Sequence, residues 1–174
     1  MVTLAMDVWV SIGSNLASEI GPPQQIVRSA LAELKTLSPH DLAISSLFCS
    51  APVDCPPDSP DFVNAMVKMD VEDHIRPRGF LKNLQAIEKY VGRVRDGRRH
   101  AARTLDLDLI CWGRLILDHP KLQLPHPRAH QRAFVLAPMA EIDSGFRLPG
   151  FDKTIGQQLA SLSGDVGVKR LALE

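Results

Sequence analysis

The sequence predicts an α+β domain, an antiparallel βαββαβ sheet with helices on both faces. Three observations predict it. Apolar runs of strand length recur between turn clusters. Two longer segments repeat apolar residues every third or fourth position, the period of one helix face. These segments follow one another as strand, helix, strand, strand, helix, strand, the order of a ferredoxin-like split βαβ pattern.

Val8-Trp9-Val10-Ser11-Ile12 reads as the first strand, stopped by the turn cluster Gly13-Ser14-Asn15. Pro22-Pro23 precedes a helix on which Ile26, Ala30 and Leu34 share a face. That helix is expected to end near Ser38-Pro39, because proline disfavours helical geometry in the residue before it. Leu42 to Ser50 reads as the second strand. Pro52, Pro56, Pro57 and Pro60 then permit only an irregular surface loop. Phe62 to Val71 is the third strand, with Phe62, Asn64, Met66 and Lys68 on one side and Val63, Ala65, Val67 and Met69 on the other.

Pro77 suits the first turn of a second helix. Phe80, Leu84, Ile87 and Val91 form its buried stripe, Leu81, Gln85 and Glu88 lie on the neighbouring face, and Gly92 ends it. A basic loop follows from Arg93 to Arg103, then a fourth strand from Leu105 to Trp112 and a short one at Leu115-Ile116-Leu117. The turn Pro125-His126-Pro127 leads to a third helix around His130 to Ala140, and a last helix is expected over Ile155 to Leu162. Both long helices belong on one sheet face and the third helix on the other. With no repeat or linker, residues 1–174 read as a single domain.

Composition narrows the function. The chain carries 20 basic and 20 acidic residues, so no global field favours nucleic acid or membrane. Cys49, Cys55 and Cys111 cannot all pair and show no CxxC spacing, which suits free thiols in a reducing compartment. Met1 to Met6 lacks the basic and apolar regions of a signal peptide. No apolar run approaches the roughly 20 residues that span a bilayer. A cytoplasmic protein is expected.

The sharpest chemical feature is Arg103-Thr104-Leu105-Asp106-Leu107-Asp108-Leu109-Ile110. Alternation along a strand points Asp106 and Asp108 one way and the leucines into the core. Two adjacent carboxylates repel, and a divalent cation such as magnesium would remove the penalty. A solvated polar face fits the spacing equally well. Arg93, Arg95, Arg98, Arg99 and Arg103 crowd the segment before the acidic pair. A basic loop beside a metal site is what polyphosphate transfer needs, although a charge run alone is more often a solvated surface. Leu124-Pro125-His126-Pro127-Arg128 and Arg132-Ala133-Phe134 bring further imidazole and guanidinium groups near a helix start. His40, His74, His119 and His130 read as surface histidines. Phe62 and Phe134 are candidate walls for a flat ring, with Asn64 as a polar partner. No GxxxxGK[ST] loop or Gly-rich dinucleotide fingerprint occurs, so any ATP site uses another design.

These residues together resemble the 6-hydroxymethyl-7,8-dihydropterin pyrophosphokinases of folate biosynthesis. The motifs come in family order: Ile12-Gly13-Ser14-Asn15-Leu16, Ser45-Ser46-Leu47-Phe48 with Ala51-Pro52, Asp61-Phe62-Val63-Asn64-Ala65, and Gly92-Arg93-Val94-Arg95. Arg103 to Ile110, Leu124 to Arg128 and Arg132-Ala133-Phe134-Val135-Leu136 complete the series. The resemblance implies a monomer that moves diphosphate from ATP to the pterin hydroxymethyl group and releases AMP. It implies two magnesium ions held by Asp106 and Asp108, with Arg93 and Arg103 as phosphate-clamping arginines. Leu81, Gln85, Glu88 and Leu109 match positions around the nucleotide, and Lys121, His126 and Arg132 positions at ATP or its phosphates. Ser50, Val53, Phe62, Asn64 and Phe134 match the pterin pocket.

The chain departs from well-known bacterial members at several points. Arg99-His100-Ala101-Ala102-Arg103 stands where they read Arg-Trp-Gly-Pro-Arg. Ser50 replaces a common threonine, Phe62 a common tyrosine and Pro127 a frequent tyrosine. Three other readings compete. One is an inactive relative, for which the altered His100-Ala101-Ala102 run speaks. A magnesium-dependent phosphotransferase acting on another heterocyclic alcohol would release ADP if it moved a single phosphoryl group. A ferredoxin-like RNA-binding module needs stacking aromatics on the sheet, and the third strand offers only Phe62.

Overall fold

The computed structural model describes residues 5–53, 55–91, 103–162 and 167–172. Its sheet is built around β1 (Ala5–Ser14). This strand pairs antiparallel with β4 (Phe62–Glu72) on one edge and β5 (Asp106–Trp112) on the other. β3 (Phe48–Ser50) lies beyond β4, and β8 (Val168–Arg170) beyond β3. The order β5-β1-β4-β3-β8 is that of the expected split βαβ sheet, extended by one edge strand.

Two apolar layers sandwich this sheet. On one face Val8, Val10 and Ile12 of β1 pack with α1 (Pro23–Lys35) and α2 (Pro77–Tyr90). On the other, Trp9, Met66 and Ile110 pack against α3 (Ala133–Asp143) and α4 (Ile155–Ala160). A strand covered on both faces needs a near-continuous apolar run, which is why Val8 to Ile12 does not alternate cleanly. The helix stripes behave as their period requires: Ile26, Ala30, Leu34, Phe80 and Leu84 are fully buried, and Val91 nearly so. Cys111 is buried in the second layer, and Cys49 is half-buried on β3. Among the described residues no helix is long and apolar enough to cross a membrane.

Several elements differ from the sequence expectation. β1 pairs on through Gly13 and Ser14, its expected stop, and β8 has no counterpart in that expectation. The second strand is broken into β2 (Ala43–Ile44) and β3, both on β4. At the break the Ser45 hydroxyl accepts the Met66 N–H at 2.9 Å, so a side chain takes the place of a backbone acceptor. α1 stops at Lys35 because its last turn tightens, with Leu37 N–H donating to the Leu34 carbonyl three residues back. Instead of one strand at Leu115–Leu117, a hairpin forms from β6 (Leu117–His119) and β7 (Leu122–Leu124). The third helix begins at Ala133, because Arg132 is extended at φ −112°, ψ 112° and cuts it from a 3-10 turn at Ala129–Gln131.

Phe80 is fully buried and meets Trp112 edge-on, ring centroids 5.5 Å apart, where α2 closes over β5. Phe80→Ala is therefore expected to lower folding stability by about 3–5 kcal/mol, read as a fall in the urea midpoint.

Candidate active site

The register of three strands builds the site. Across the sheet Asp106 pairs with Gly13, and Gly13 with Asn64. One row further along, Asp108 pairs with Ser11, and Ser11 with Met66. Each carboxylate therefore has a small neighbour on β1. A Cβ added at Gly13 would lie 3.5 Å from Asn64 Oδ1 and 3.7 Å from the Phe62 ring, inside the space between them. Leu107 and Leu109 turn the other way into the core, as the alternation requires.

Two cavities meet at the carboxylates. The smaller, about 150 Å³, is walled by Phe62 and Phe134 with Ser50 and Val53 at its side. The larger, about 420 Å³, is lined by Leu81, Gln85, Glu88, Leu109 and Lys121. Arg103, Asp106, Asp108 and His126 line both. Asn64 is buried behind the smaller cavity, where its Nδ2 donates to Ser50 Oγ at 2.8 Å. Arg132 lies on the wall of the smaller cavity, not the larger, with its guanidinium over the Phe134 ring at 5.3 Å. Arg93 and the run His100-Ala101-Ala102 lie outside the described residues.

Buried polar contacts fix these groups. Asn15 is 3% exposed. Its Oδ1 accepts the Arg103 N–H at 2.7 Å, and its Nδ2 donates to the Pro60 carbonyl at 3.1 Å. The N–H groups of Asn15 and Leu16 both donate to the Arg103 carbonyl. One side chain thus ties the end of β1 to the loop before β4 and to the entry of β5. The Arg103 guanidinium pairs with the Asp106 carboxylate. From the core side, Glu88 Oε1 accepts the Leu107 N–H at 2.9 Å and holds β5 against α2.

The electrostatics are uneven. Burial, then the neighbouring Asp106 charge, push the Asp108 carboxyl up to about 7, against the pull of Arg132 and Arg103. Burial, then Arg132 and Arg128, bring the His126 imidazole down to about 4. His126 Nδ1 accepts the Arg128 N–H at 3.2 Å, so its ring proton sits on Nε2. At neutral pH it is an uncharged donor.

Several residues at the site had no specific role from sequence alone. Gly13 and Asn15 stood in a recognised motif but read only as a turn. Cys55 lines the smaller cavity, and so does Arg128, which the sequence offered only as a guanidinium near a helix start. His119, expected on the open surface, lines the larger one because the β6–β7 hairpin folds back over β5. Among the described residues no cluster of three or more His, Cys, Asp or Glu side chains is placed to hold a metal.

Residues 9–144 match the family model of 7,8-dihydro-6-hydroxymethylpterin-pyrophosphokinase (HPPK). The chain belongs to this family. It is 42% identical over 143 residues to a 2-amino-4-hydroxy-6-hydroxymethyldihydropteridine pyrophosphokinase of Pseudomonas aeruginosa, covering 82% of this chain and 83% of that one. The enzyme of the same name from Haemophilus influenzae is 39% identical over 142 residues, 81% of this chain and 84% of that one. The HPPK-DHPS of Plasmodium falciparum, wild type with pteroate, superposes with a TM-score of 0.70 at 10% identity, covering 92% of this chain. This chain spans 45% of that longer one, and the likeness speaks for the fold alone. As an HPPK, the chain is an ATP-dependent pyrophosphokinase that transfers diphosphate to hydroxymethyldihydropterin in folate biosynthesis.

Two outcomes follow from the geometry. Gly13→Val places a side chain between Asn64 and Phe62 beside the smaller cavity, so the KM for one of the two substrates should rise roughly tenfold or more with the KM for the other little changed. Steady-state kinetics with each substrate varied checks this. His126 resists protonation when folded but takes a proton near its ordinary value of 6.5 when unfolded. Its stabilising effect is thus present above pH 6.5 and fades as pH falls towards 4, on the order of 3 kcal/mol in all. Denaturant midpoints across that window should slope less in His126→Gln than in the parent.

Proposed function

We propose that the larger cavity takes ATP, the smaller takes the pterin bicycle, and diphosphate passes between them at Asp106 and Asp108. The observation that carries this reading is the meeting of the two cavities at one acidic pair. A phosphate chain in one cavity and an alcohol in the other can touch only there. Phe62 and Phe134 wall the slot for the flat bicycle, while Ser50 and Asn64 offer it hydrogen-bonding groups. Leu81, Leu109 and Gln85 face the nucleotide, with Lys121 and His126 towards its phosphates.

The donor set suits magnesium. Two carboxylates on one strand face are oxygen ligands, they repel in the absence of a cation, and they leave most of an octahedron to water and phosphate. Asp106 and Asp108 would hold two such ions, which when bound neutralise phosphate charge and hold the phosphate oxygens in place. The hydroxymethyl oxygen attacks the β-phosphorus in line, the bond from β-phosphorus to the α,β-bridging oxygen breaks, AMP leaves, and the hydroxyl proton passes to solvent water. Catalysis is then mostly positioning and charge stabilisation. Arg103 and Arg132 bring guanidinium groups to the junction, and Arg93, outside the described residues, matches a phosphate-clamping arginine of the family. Neutral His126 donates a hydrogen bond from Nε2 without adding a charge that would compete for the carboxylates. A cytoplasmic monomer fits this reading.

Incubation with magnesium-ATP, with and without the pterin alcohol, followed by anion-exchange separation, tests the reaction. Pterin-dependent AMP in equal amount with pterin diphosphate is expected, and ADP as the product would refute the assignment. Asp108→Ala is expected to abolish turnover; activity within about tenfold of the parent would remove Asp108 from the metal site. Arg93→Ala should slow single-turnover chemistry by about 100-fold or more while ATP affinity stays within about threefold, as for a group acting in the transition state.

A further inference from the structure

β5 carries the two acids near its start and leads, past its other end, into a turn from Gly113 to Ile116. Beside this turn a hollow of about 390 Å³ opens against the loop that joins α3 to α4. It shares no lining residue with the two cavities that meet at Asp106 and Asp108. Backbone bonds fix both of its sides. Gly113 N–H donates to the Asp7 carbonyl at 2.6 Å, and Leu115 N–H to the Trp112 carbonyl at 2.9 Å. In the facing loop, Ile155 N–H donates to the Phe146 carbonyl at 2.8 Å, and Gly156 N–H to the Ser144 carbonyl at 2.9 Å.

Two chemical features coincide in the hollow. Phe146 and Phe151 give it apolar walls. Each ring is backed by another, Phe146 by Trp9 with centroids 5.0 Å apart and Phe151 by His130 at 4.9 Å. Arg114 and Arg147 add two guanidinium groups, and no acidic side chain lines the hollow among the described residues. Arg147 Nε donates to the Asp152 carbonyl at 3.0 Å, a contact that orients its planar fork. Asp143, at the end of α3, accepts the Gly145 N–H at 3.1 Å. Gly145 and Gly150 leave the space open. Gly150 sits at φ +81°, where a side chain would strain the backbone and meet Ile116 at 3.4 Å.

We propose that this hollow is a binding site for a flat aromatic carboxylate, separate from the substrate cavities. A guanidinium fork matches a carboxylate through two parallel hydrogen bonds. The Phe146 and Phe151 rings take the aromatic body, which gains by leaving water against them. The volume lies within the roughly 300–1,000 Å³ typical of small-molecule sites. A bare inorganic anion would engage the arginines and leave the rings in water. An uncharged ring would cover the phenylalanines and leave the guanidinium groups without an acceptor. A ligand that carries both parts uses both kinds of wall.

Calorimetric titration of the full chain at low salt with 2-naphthoate, 2-naphthamide and inorganic phosphate tests it. The naphthoate should bind with a Kd below about 1 mM, and about tenfold tighter or more than the amide or phosphate. Arg114→Gln and Arg147→Gln change exposed side chains outside both substrate cavities, and each should weaken the naphthoate about fivefold or more. No binding of the naphthoate, or equal binding of the amide or of phosphate, would overturn the site. So would a naphthoate affinity that either variant leaves unchanged, since the probe would then lie elsewhere, the ring-walled substrate cavity included. Any of these failures would leave the assignment of the pterin cavity standing, because neither arginine lines it.

Discussion

The antiparallel pairing of β1 with β5 sets the distance from the two carboxylates to everything else in the site. Register is rigid here because both strands bury a face, and a slip of one residue would turn every side chain over. Asp106 and Asp108 would then point into the core and Leu107 and Leu109 out of it. The pairing also fixes who stands beside the acids. Gly13 and Ser11 are small, so the space above β1 stays open and connects the cavity under Phe62 and Phe134 to the one over α2. The absence of a side chain at Gly13 is as much a part of the site as the carboxylates are.

Around that row the polar contacts serve position more than stability. Asn15 bonds to two separate chain segments, Pro60 and Arg103, and so couples the rim of the smaller cavity to the entry of the acidic strand. Glu88 does the corresponding work from α2 by accepting the Leu107 N–H. Buried side chains in such contacts carry a high cost if a partner is lost, which is why they define one geometry. The charges follow the same economy. Burial and the neighbouring arginines keep His126 neutral, and burial beside the Asp106 charge makes Asp108 costly to ionise. A site of that kind favours cations and the phosphate groups they accompany.

The sequence and the structure agree most closely where a period or a fixed backbone rule was at work. The stripes of α1 and α2 and the alternation of β4 and β5 follow directly from 3.6 and 2 residue repeats. Asp106 and Asp108 share one sheet face, as alternation along the strand requires, and that face borders two adjoining cavities. Disagreement arose where local signals were weak. Ser45 breaks a strand through a hydroxyl that competes with the backbone, which no periodicity reports. β8 is three residues long and leaves no pattern, yet it completes the sheet edge.

The sequence by itself determined which residues are apolar, the order of strands and helices, and the chemical types that the acidic strand and the arginine-rich segments bring. Those are local properties, written in spacing and composition. Only the tertiary structure decided that Arg132 belongs to the smaller cavity, that His119 belongs to the larger, that Asn15 binds across a separation of 88 residues, and that Val168 stands beside Ser50. Each of these depends on contacts between segments far apart in the chain, and such contacts exist only once the sheet has closed and its register is set.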